Sequence, residues 1–533
     1  MMSQSQNNLL KVEGLSFTYP GMEEEALIDL FFEVEKGSFT LLCGPTGSGK
    51  TTLLRALKEE LRPTGDYLGH ILAPPTIAFV LQDPSNQIVM DRVWHELAFG
   101  LENMGLSGKV IERRIAETAH FFGIEHWINR PISELSGGEK QILNLASSLI
   151  LNPSLIILDE PTARLDPVAV TRFLSLLEKI HQEIGTTILL SEHRMADVLP
   201  LVNQVLYLEE GHLLYDGEPR AFASFLLEGQ NPFAKSLPAA TKIVDWAEAA
   251  TGQRRSLPAL SVPEARKRLN GLDLVLMTER PDEIAFTEAD AILKAKALSY
   301  RYKSDLPFVL EELSLHLLEQ SIHAVLGGNG SGKSTLLYLM SRVKSPTSGK
   351  LFIEEEKRVG LLTQNAKALF SKERLKDELM ELHQLGQYGE EEVEKIAGAL
   401  SLLPLLSRHP YDLSGGEMQK AALAKLLLLS PDILLLDEPD RGLDAAGKEE
   451  VITLLRKLRS EGKTILFVSH DLNFTARVAD RVSLLFNGQI VVTENSRSFF
   501  SENNFYTTDV ARVTRGILPG LVVLEDLDAK RFD

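Results

Sequence analysis

The chain holds one cysteine in 533 residues and no apolar run that approaches the ~18 to 20 residues needed to cross a bilayer. A single cysteine excludes an internal disulfide. Cys43 lies in an apolar stretch just before a glycine-rich turn, which makes it a small core residue with no chemical role. The greasiest part, Leu426 to Leu436, is broken by Ser430, Pro431 and Asp432, so any role at a membrane is peripheral. Positive charge is also short: Lys and Arg number 56 against 74 Asp and Glu, a net charge of -18. That balance argues against a general nucleic-acid binder, which needs a basic face, and no nucleic acid is expected as partner. The opening Met-Met-Ser-Gln-Ser-Gln-Asn-Asn has neither the cationic start nor the apolar stretch of a secretory leader, so a cytoplasmic location is expected. With 44% hydrophobic and 24% charged residues, the composition is that of a soluble globular chain with two or more domains.

What the chain does have is a glycine-rich loop in a telling context. Gly44, Pro45, Thr46, Gly47, Ser48, Gly49, Lys50 and Thr51 follow the apolar run Phe39 to Cys43 and open a helical pattern that begins with Thr51 and Thr52. A strand that delivers the chain to such a loop places backbone N–H groups around phosphate oxygens. The next helix adds the positive end of its dipole, Lys50 a mobile cation and Thr51 a hydroxyl for Mg²⁺. The expected ligand is a nucleoside triphosphate. One such match could be chance, but Gly327, Gly328, Asn329, Gly330, Ser331, Gly332, Lys333 and Ser334, followed by Thr335, repeat it after another apolar run, Ile322 to Leu326.

The repetition extends well beyond the loops. Tyr19 to Tyr302 and Lys50 to Lys333 are both offset by 283, Ser136 to Ser414 and Asp159 to Asp437 by 278, and His193 to His470 by 277. So steady a period means that a whole domain is duplicated. Each copy reads as strand, loop, helix, a mainly helical insert (82 to 136, 364 to 414), and then a buried strand running into two acids. The expected fold is therefore α/β: two tandem phosphate-loop NTPase domains, each with an α/β core and a helical subdomain. In the first insert Val93, Leu97 and Leu101, then Ile111, Ile115 and Ala119, recur every four residues, as amphipathic helices require. Strand pairs around Glu209-Glu210-Gly211 and Asn487-Gly488 close the copies. The reading divides the chain into a first domain (1–218), a connector (219–291) with Pro232, Pro238, Pro258, Pro263 and Pro281, a second domain (292–495), and a tail (496–533) without a legible motif.

Asp159 and Glu160 end one apolar strand, and Asp437 and Glu438 end the other. Such a pair puts an Asp near Mg²⁺ and a Glu where it polarises the attacking water. Alone, each pair could equally be an exposed turn or a helix cap. Leu-Ser-Gly-Gly-Glu occurs at 135 to 139 and again at 413 to 417. Ser-Gly-Gly at a helix start offers a second anion site, and also suits an ordinary N-cap.

The combination resembles the nucleotide-binding domain of ATP-binding cassette (ABC) proteins, in two complete copies over about residues 10 to 218 and 292 to 495. The resemblance implies that the pentapeptide is the family signature and that the domains close head to tail around two ATP molecules. Ser136, Gly137 and Gly138 then complete the site of Lys333, and Ser414, Gly415 and Gly416 that of Lys50. It implies that Tyr19 and Tyr302 stack on adenine, although either could be a core tyrosine. It makes Gln82 and Gln364 the residues that sense Mg²⁺ and the γ-phosphate, and His193 and His470 switch residues at that phosphate. Asp166 and Asp444 match a loop that couples the sites. The metal set is thus Thr51, Gln82 and Asp159, with Ser334, Gln364 and Asp437. Two departures stand out: Ser-Glu-His-Arg at 191 to 194 against Ser-His-Asp at 469 to 471, and Asn-Ala-Lys after Gln364 where Asp-Pro-Ser-Asn-Gln follows Gln82.

The fused layout, Gln-Asp-Pro-Ser-Asn-Gln and Ser-Glu-His-Arg further resemble the tandem ATPase subunits of energy-coupling factor (ECF) importers, which take up vitamins. Separate integral-membrane subunits are then the expected partners, at the inner face of the cell membrane, docking beside Val89 in one half and Leu369 in the other. The rival reading is a soluble tandem-cassette factor acting on ribosomes, whose long charged helical connector this proline-broken one does not match. A fused sugar-importer ATPase usually has a degenerate second loop, whereas 327 to 334 is intact.

Overall fold

The computed structural model of the chain describes residues 8–163, 165–252, 256–272 and 291–528. Pro281 and the first seven residues, which the sequence reading used, lie outside them. Two compact units emerge. The first takes the chain to Thr241 together with Ser256–Ser261, and the second takes the remainder.

In the first unit, β1 (Asn8–Thr18), β2 (Leu27–Glu35) and β4 (Asp66–Leu72) form a three-stranded antiparallel sheet in the order β2-β1-β4. A six-stranded sheet is built from β3 (Phe39–Cys43), β5 (Ile77–Val80), β6 (Leu155–Asp159), β7 (Thr187–Ser191), β8 (Gln204–Glu209) and β9 (His212–Gly217). Its order is β5-β6-β7-β3-β8-β9, parallel except for the last pair. The central strands are apolar at every position because both faces are covered. Leu155, Ile157 and Leu189 pack toward Leu10, Val12 and Leu15 of the antiparallel sheet. Ile156, Leu158, Ile188 and Leu190 face the other way, into a core shared with Leu97, Leu101 and Ile115. These last three lie on the helices Val93–Asn103 and Gly108–Phe122, and the four-residue repeat read from the sequence is their buried stripe.

The second unit repeats the plan. Its antiparallel sheet joins β10 (Ala291–Tyr300), β11 (Leu310–Leu318) and β13 (Ser348–Ile353) in the order β11-β10-β13. Its larger sheet contains β12 (Ile322–Leu326), β14 (Val359–Leu362), β15 (Ile433–Asp437), β16 (Thr464–Val468), β17 (Arg481–Phe486) and β18 (Gln489–Asn495), in the order β14-β15-β16-β12-β17-β18. Left-handed φ values of 48° and 75° at Asn487 and Gly488, and of 48° and 78° at Glu210 and Gly211, make the two closing hairpins.

Described parts of the stretches outside the repeat are built into the cores. Phe222 and Leu226 of the helix Pro219–Glu228 are fully buried in the first core, and Phe233 and Leu237 join it with a small exposed remainder. In the tail, Phe499 and Phe500 of the helix Ser496–Glu502 are fully buried in the second core. Among the described residues, no helix is long and apolar enough to cross a membrane.

Candidate functional site

In each unit the strand at the middle of the large sheet ends in the glycine-rich loop, at Cys43 and at Leu326. Glycine is required where the loop presses on its neighbours. A Cβ on Gly44 would lie 1.9 Å from the carbonyl oxygen of Leu208, and one on Gly327 would lie 2.5 Å from that of Leu485. The crown is open by contrast, with nothing within 4 Å of a Cβ on Gly47, Gly328 or Gly330. Thr46 and Asn329 are exposed on it, while Pro45, Gly49 and Gly332 are half-buried.

Lys50 Nζ donates to the carbonyls of Gly44 and Pro45 at 2.9 and 2.8 Å, and Lys333 Nζ to those of Gly327 and Gly328 at 2.9 Å. Both ammonium groups therefore sit inside their loops. The buried hydroxyls of Ser48 and Ser331 find no hydrogen-bond partner among the described residues. Two buried hydroxyls without partners in matching loops fit a polyphosphate ligand whose oxygens would accept from them.

Beside each loop stands the first acid of the pair. Thr51 Oγ1 donates to Asp159 Oδ1 at 3.1 Å, and Ser334 lies beside Asp437. Burial, and then the neighbouring Glu160, push Asp159 up to about 6; burial, ahead of the charge of Glu438, raises Asp437 as well. A hydroxyl beside a buried carboxylate is a donor set that suits a hard divalent cation.

The second acid of each pair sits in the left-handed region, with φ of 45° at Glu160 and 53° at Glu438. That conformation is strained for a residue with a Cβ, by ~1–3 kcal/mol, and it recurs at matching positions. It aims the carboxylate at two other residues of its half. Gln82 Nε2 donates to Glu160 Oε2 at 3.0 Å and His193 Nε2 lies 2.8 Å from Oε1. Gln364 Nε2 donates to Glu438 Oε2 at 2.8 Å, and His470 Nε2 lies 3.3 Å from Oε1 without hydrogen-bond alignment. Burial pushes Glu438 up, yet His470, Arg441 and Gln364 together bring it down to about 2. The loop, Asp, Glu, Gln and His named from the sequence thus converge within each half.

Tyr19 and Tyr302 are 38% and 51% exposed, which leaves a ring face open for stacking. Their hydroxyls meet Thr52 Oγ1 at 2.9 Å and Thr335 Oγ1 at 3.0 Å. Ser136 and Ser414 start the helices Gly137–Leu149 and Gly415–Leu427, where each is half of a capping box. Glu139 Oε2 accepts from Ser136 N at 2.8 Å, and Glu417 Oε2 does the same for Ser414 N at 2.8 Å. The pentapeptide is thus an N-cap completed by its glutamate, and Gly137 and Gly415 have open space above them. Gly138 and Gly416 do not, because a Cβ on Gly416 would come within 2.8 Å of the carbonyl of Gly442. Asp166 and Asp444 are N-caps of the helices Pro167–Lys179 and Ala445–Ser460.

Sequence reasoning missed three residues around the second acid. Arg441 Nη1 reaches Glu438 Oε2 at 3.0 Å, and the buried Thr162 and Asp440 each follow their Glu by two. The departure at Glu192 was the available signal, but its partner lies 30 residues away and meets it only across β6 and β7.

The family described as ABC transporter matches residues 27–163 and 310–441. A "Putative ABC transporter ATP-binding protein" of Bacillus cereus (strain ATCC 10987 / NRS 248) is 37% identical over 545 residues, which cover 97% of either chain. The "Putative HMP/thiamine import ATP-binding protein YkoD" of Bacillus subtilis (strain 168) is 29% identical over 539 residues, 94% of either chain. Among solved structures, a chain in the complex of archaeal ribosomal stalk protein aP1 and archaeal ribosome recycling factor aABCE1 matches 92% of this chain and 91% of its own. That match has a TM-score of 0.60 and 21% identity, a likeness of fold. With two phosphate loops, two acid pairs and a relative this similar along its whole length, the chain belongs to the ABC transporter family and is an ATP-binding, ATP-hydrolysing protein with two ABC-type domains.

Proposed function

We propose that the chain is the energy-coupling ATPase of a membrane importer of the ECF type, serving a vitamin or related micronutrient. The observation that carries this reading is the likeness to the relative named for HMP/thiamine import, which extends over 94% of both chains and so takes in both halves. In this reading Lys50 and Lys333 leave their loop carbonyls for the phosphates of ATP, while Tyr19 and Tyr302 hold adenine. Thr51, Asp159 and Gln82, with Ser334, Asp437 and Gln364, hold Mg²⁺, which when bound offsets charge developing on the phosphates. Glu160 and Glu438 take a proton from the attacking water, and His193 and His470 orient that carboxylate and contact the γ-phosphate. Ser136 to Gly138 and Ser414 to Gly416 complete the opposite half's site, so that ATP closes the pair and hydrolysis reopens it. Integral-membrane subunits receive the motion, with this chain held peripherally at the inner face of the membrane.

The test is to purify the chain from detergent-solubilised membranes of its own cells and identify what stays bound. Integral-membrane proteins in fixed ratio, with ATP-dependent uptake of a vitamin after reconstitution, are the expected result. Co-sedimentation with ribosomes and no membrane partner would put the ribosomal reading in its place.

A further inference from the structure

In the first half, Thr162 and Glu192 are 0% and 2% exposed. Glu192 Oε1 accepts from the Thr162 backbone N–H at 3.0 Å and from its hydroxyl at 2.5 Å, and Oε2 accepts from the His193 N–H at 3.1 Å. One buried carboxylate thus gathers three donors. It ties the residue two beyond Glu160 to the backbone that presents the imidazole, whose Nε2 lies 2.8 Å from Glu160.

In the second half the same two positions carry the chemistry exchanged. Asp437 pairs with Val468 as Asp159 pairs with Ser191, so Ser469 stands where Glu192 does, just before the histidine. Asp440 stands where Thr162 does. Asp440 is 8% and Ser469 0% exposed, the carboxylate lies beside the Ser469 hydroxyl, and that hydroxyl accepts from the Asp471 N–H at 2.9 Å.

We propose that in each half a buried acid–hydroxyl pair, Glu192–Thr162 and Asp440–Ser469, is the positioning device that holds the histidine loop against the strand end bearing the hydrolytic glutamate. The acid sits on opposite loops in the two halves, so acid and hydroxyl are exchangeable within a pair but not dispensable. This rests on the reading of Glu160 and His193 as a working pair. The electrostatic setting supports a load on these carboxylates. Burial raises Glu192, which faces Arg194 and Glu160, and burial followed by the charge of Asp471 raises Asp440, which faces Lys448. A buried carboxyl group kept under that penalty is retained for what it bonds.

The test uses the full chain and measures kcat and KM for ATP alongside thermal melting. Glu192→Ser leaves hydroxyl against hydroxyl, and Thr162→Asp sets two acids face to face. Each is expected to lower kcat about tenfold with KM for ATP within about twofold, the loss that one or two misplaced hydrogen bonds produce. The double variant Thr162→Asp/Glu192→Ser copies the second half's arrangement into the first and is expected to recover kcat to within about threefold of the parent, a coupling between neighbours that simple repacking does not produce. A double variant as slow as the slower single one, yet melting like the parent, overturns the proposal, as do single variants with full kcat. If a first-half variant does not fold, the reverse exchange Asp440→Thr/Ser469→Glu serves, with a folded protein slowed by more than about tenfold counting against the proposal. Glu160→Gln separates the two layers of the argument. Unchanged turnover in that variant removes the working pair itself, whereas a large drop without rescue by the exchange removes only the positioning device.

Discussion

Arg441 and Glu438 are joined at 3.0 Å, guanidinium Nη1 to carboxylate Oε2, on the side of the carboxylate opposite His470. A base held by a cation is a weaker base: burial pushes Glu438 up, but His470 first, then Arg441 and Gln364, bring it down to about 2. Arg441→Gln keeps a donor near Oε2 but withdraws the charge. The single-turnover rate of ATP hydrolysis is expected to rise by about two- to tenfold as the carboxylate becomes more basic. A lower rate, measured by rapid quench, would instead place the guanidinium on the phosphates.

Both strand-end glutamates share the left-handed conformation and the Gln contact, which points to two working sites. Glu160→Gln and Glu438→Gln are each expected to lower steady-state turnover, by about 10²- to 10⁴-fold at the altered site. The double variant is expected to bind ATP without turning it over. Full activity in either single variant would make that half regulatory.

A buried charge cluster distinguishes the halves. Lys425 Nζ meets Glu378 at 2.7 Å, Glu381 at 2.6 Å and the carbonyl of Leu369 at 2.8 Å, while Glu378 also accepts from the backbone of Ser371 and Lys372. In the first half Glu96 binds the N–H groups of Val89 and Met90, and Ser147 donates only to its own helix at Asn144. Lys425→Met leaves the fully buried Glu378 without its cation and is expected to destabilise the second half by about 3–5 kcal/mol. Denaturant unfolding with hydrogen exchange over residues 366 to 381 measures this, and a loss below about 1 kcal/mol would contradict it.

Asp440 makes stability depend on pH. Burial and Asp471 push its carboxyl from 3.8 to about 6, so the folded chain holds a proton that the unfolded chain releases. Its contribution is full below the ordinary carboxylate range and is lost as pH rises through about 6. Asp440→Asn removes that loss, and its stability relative to the parent is expected to be about 1–2 kcal/mol greater at pH 8 than at pH 5. Equal differences at the two pH values would show that the carboxyl is not shifted.

Val89 is 67% exposed beside the Gln82 segment, whereas Leu369, its expected counterpart, packs half-buried on the second core. The paired surface expected from the sequence is therefore unequal in exposure as well as in composition. Val89→Asp is expected to leave ATP hydrolysis by the isolated chain within about twofold while transport by the proposed importer falls at least tenfold. Intact transport would remove Val89 from the docking surface.

The parts of this architecture that were legible in the sequence are those fixed by local pattern. The loops announce themselves because glycine positions are set by close backbone approach, and the insert helices because Val93, Leu97 and Leu101 bury one stripe. Strand-end acids are visible because an uninterrupted apolar run precedes them. What stayed hidden depends on contacts between distant segments. Thr162 and Glu192 are unremarkable until β6 and β7 lie side by side, and Phe222, Phe499 and Phe500 belong to short helices that pack back on the closing strands of their halves, where Phe222 meets Tyr207 and Tyr215. A proline-punctuated stretch reads as a connector for the same reason: its apolar residues are too few to mark a core alone, although the cores need them.

The burial of Phe499, Phe500, Leu521 and Val522 sets an order of events during synthesis. The first unit has all its residues once Ser261 is made, but the second core stays open on one side until the chain has been extended past Val522. At ~5–20 residues per second, the first half has on the order of 10 to 50 s to fold before the second can close. Through that interval the apolar strands β12, β15 and β16 lack their final cover, and they are the segments that a chaperone would have to shield.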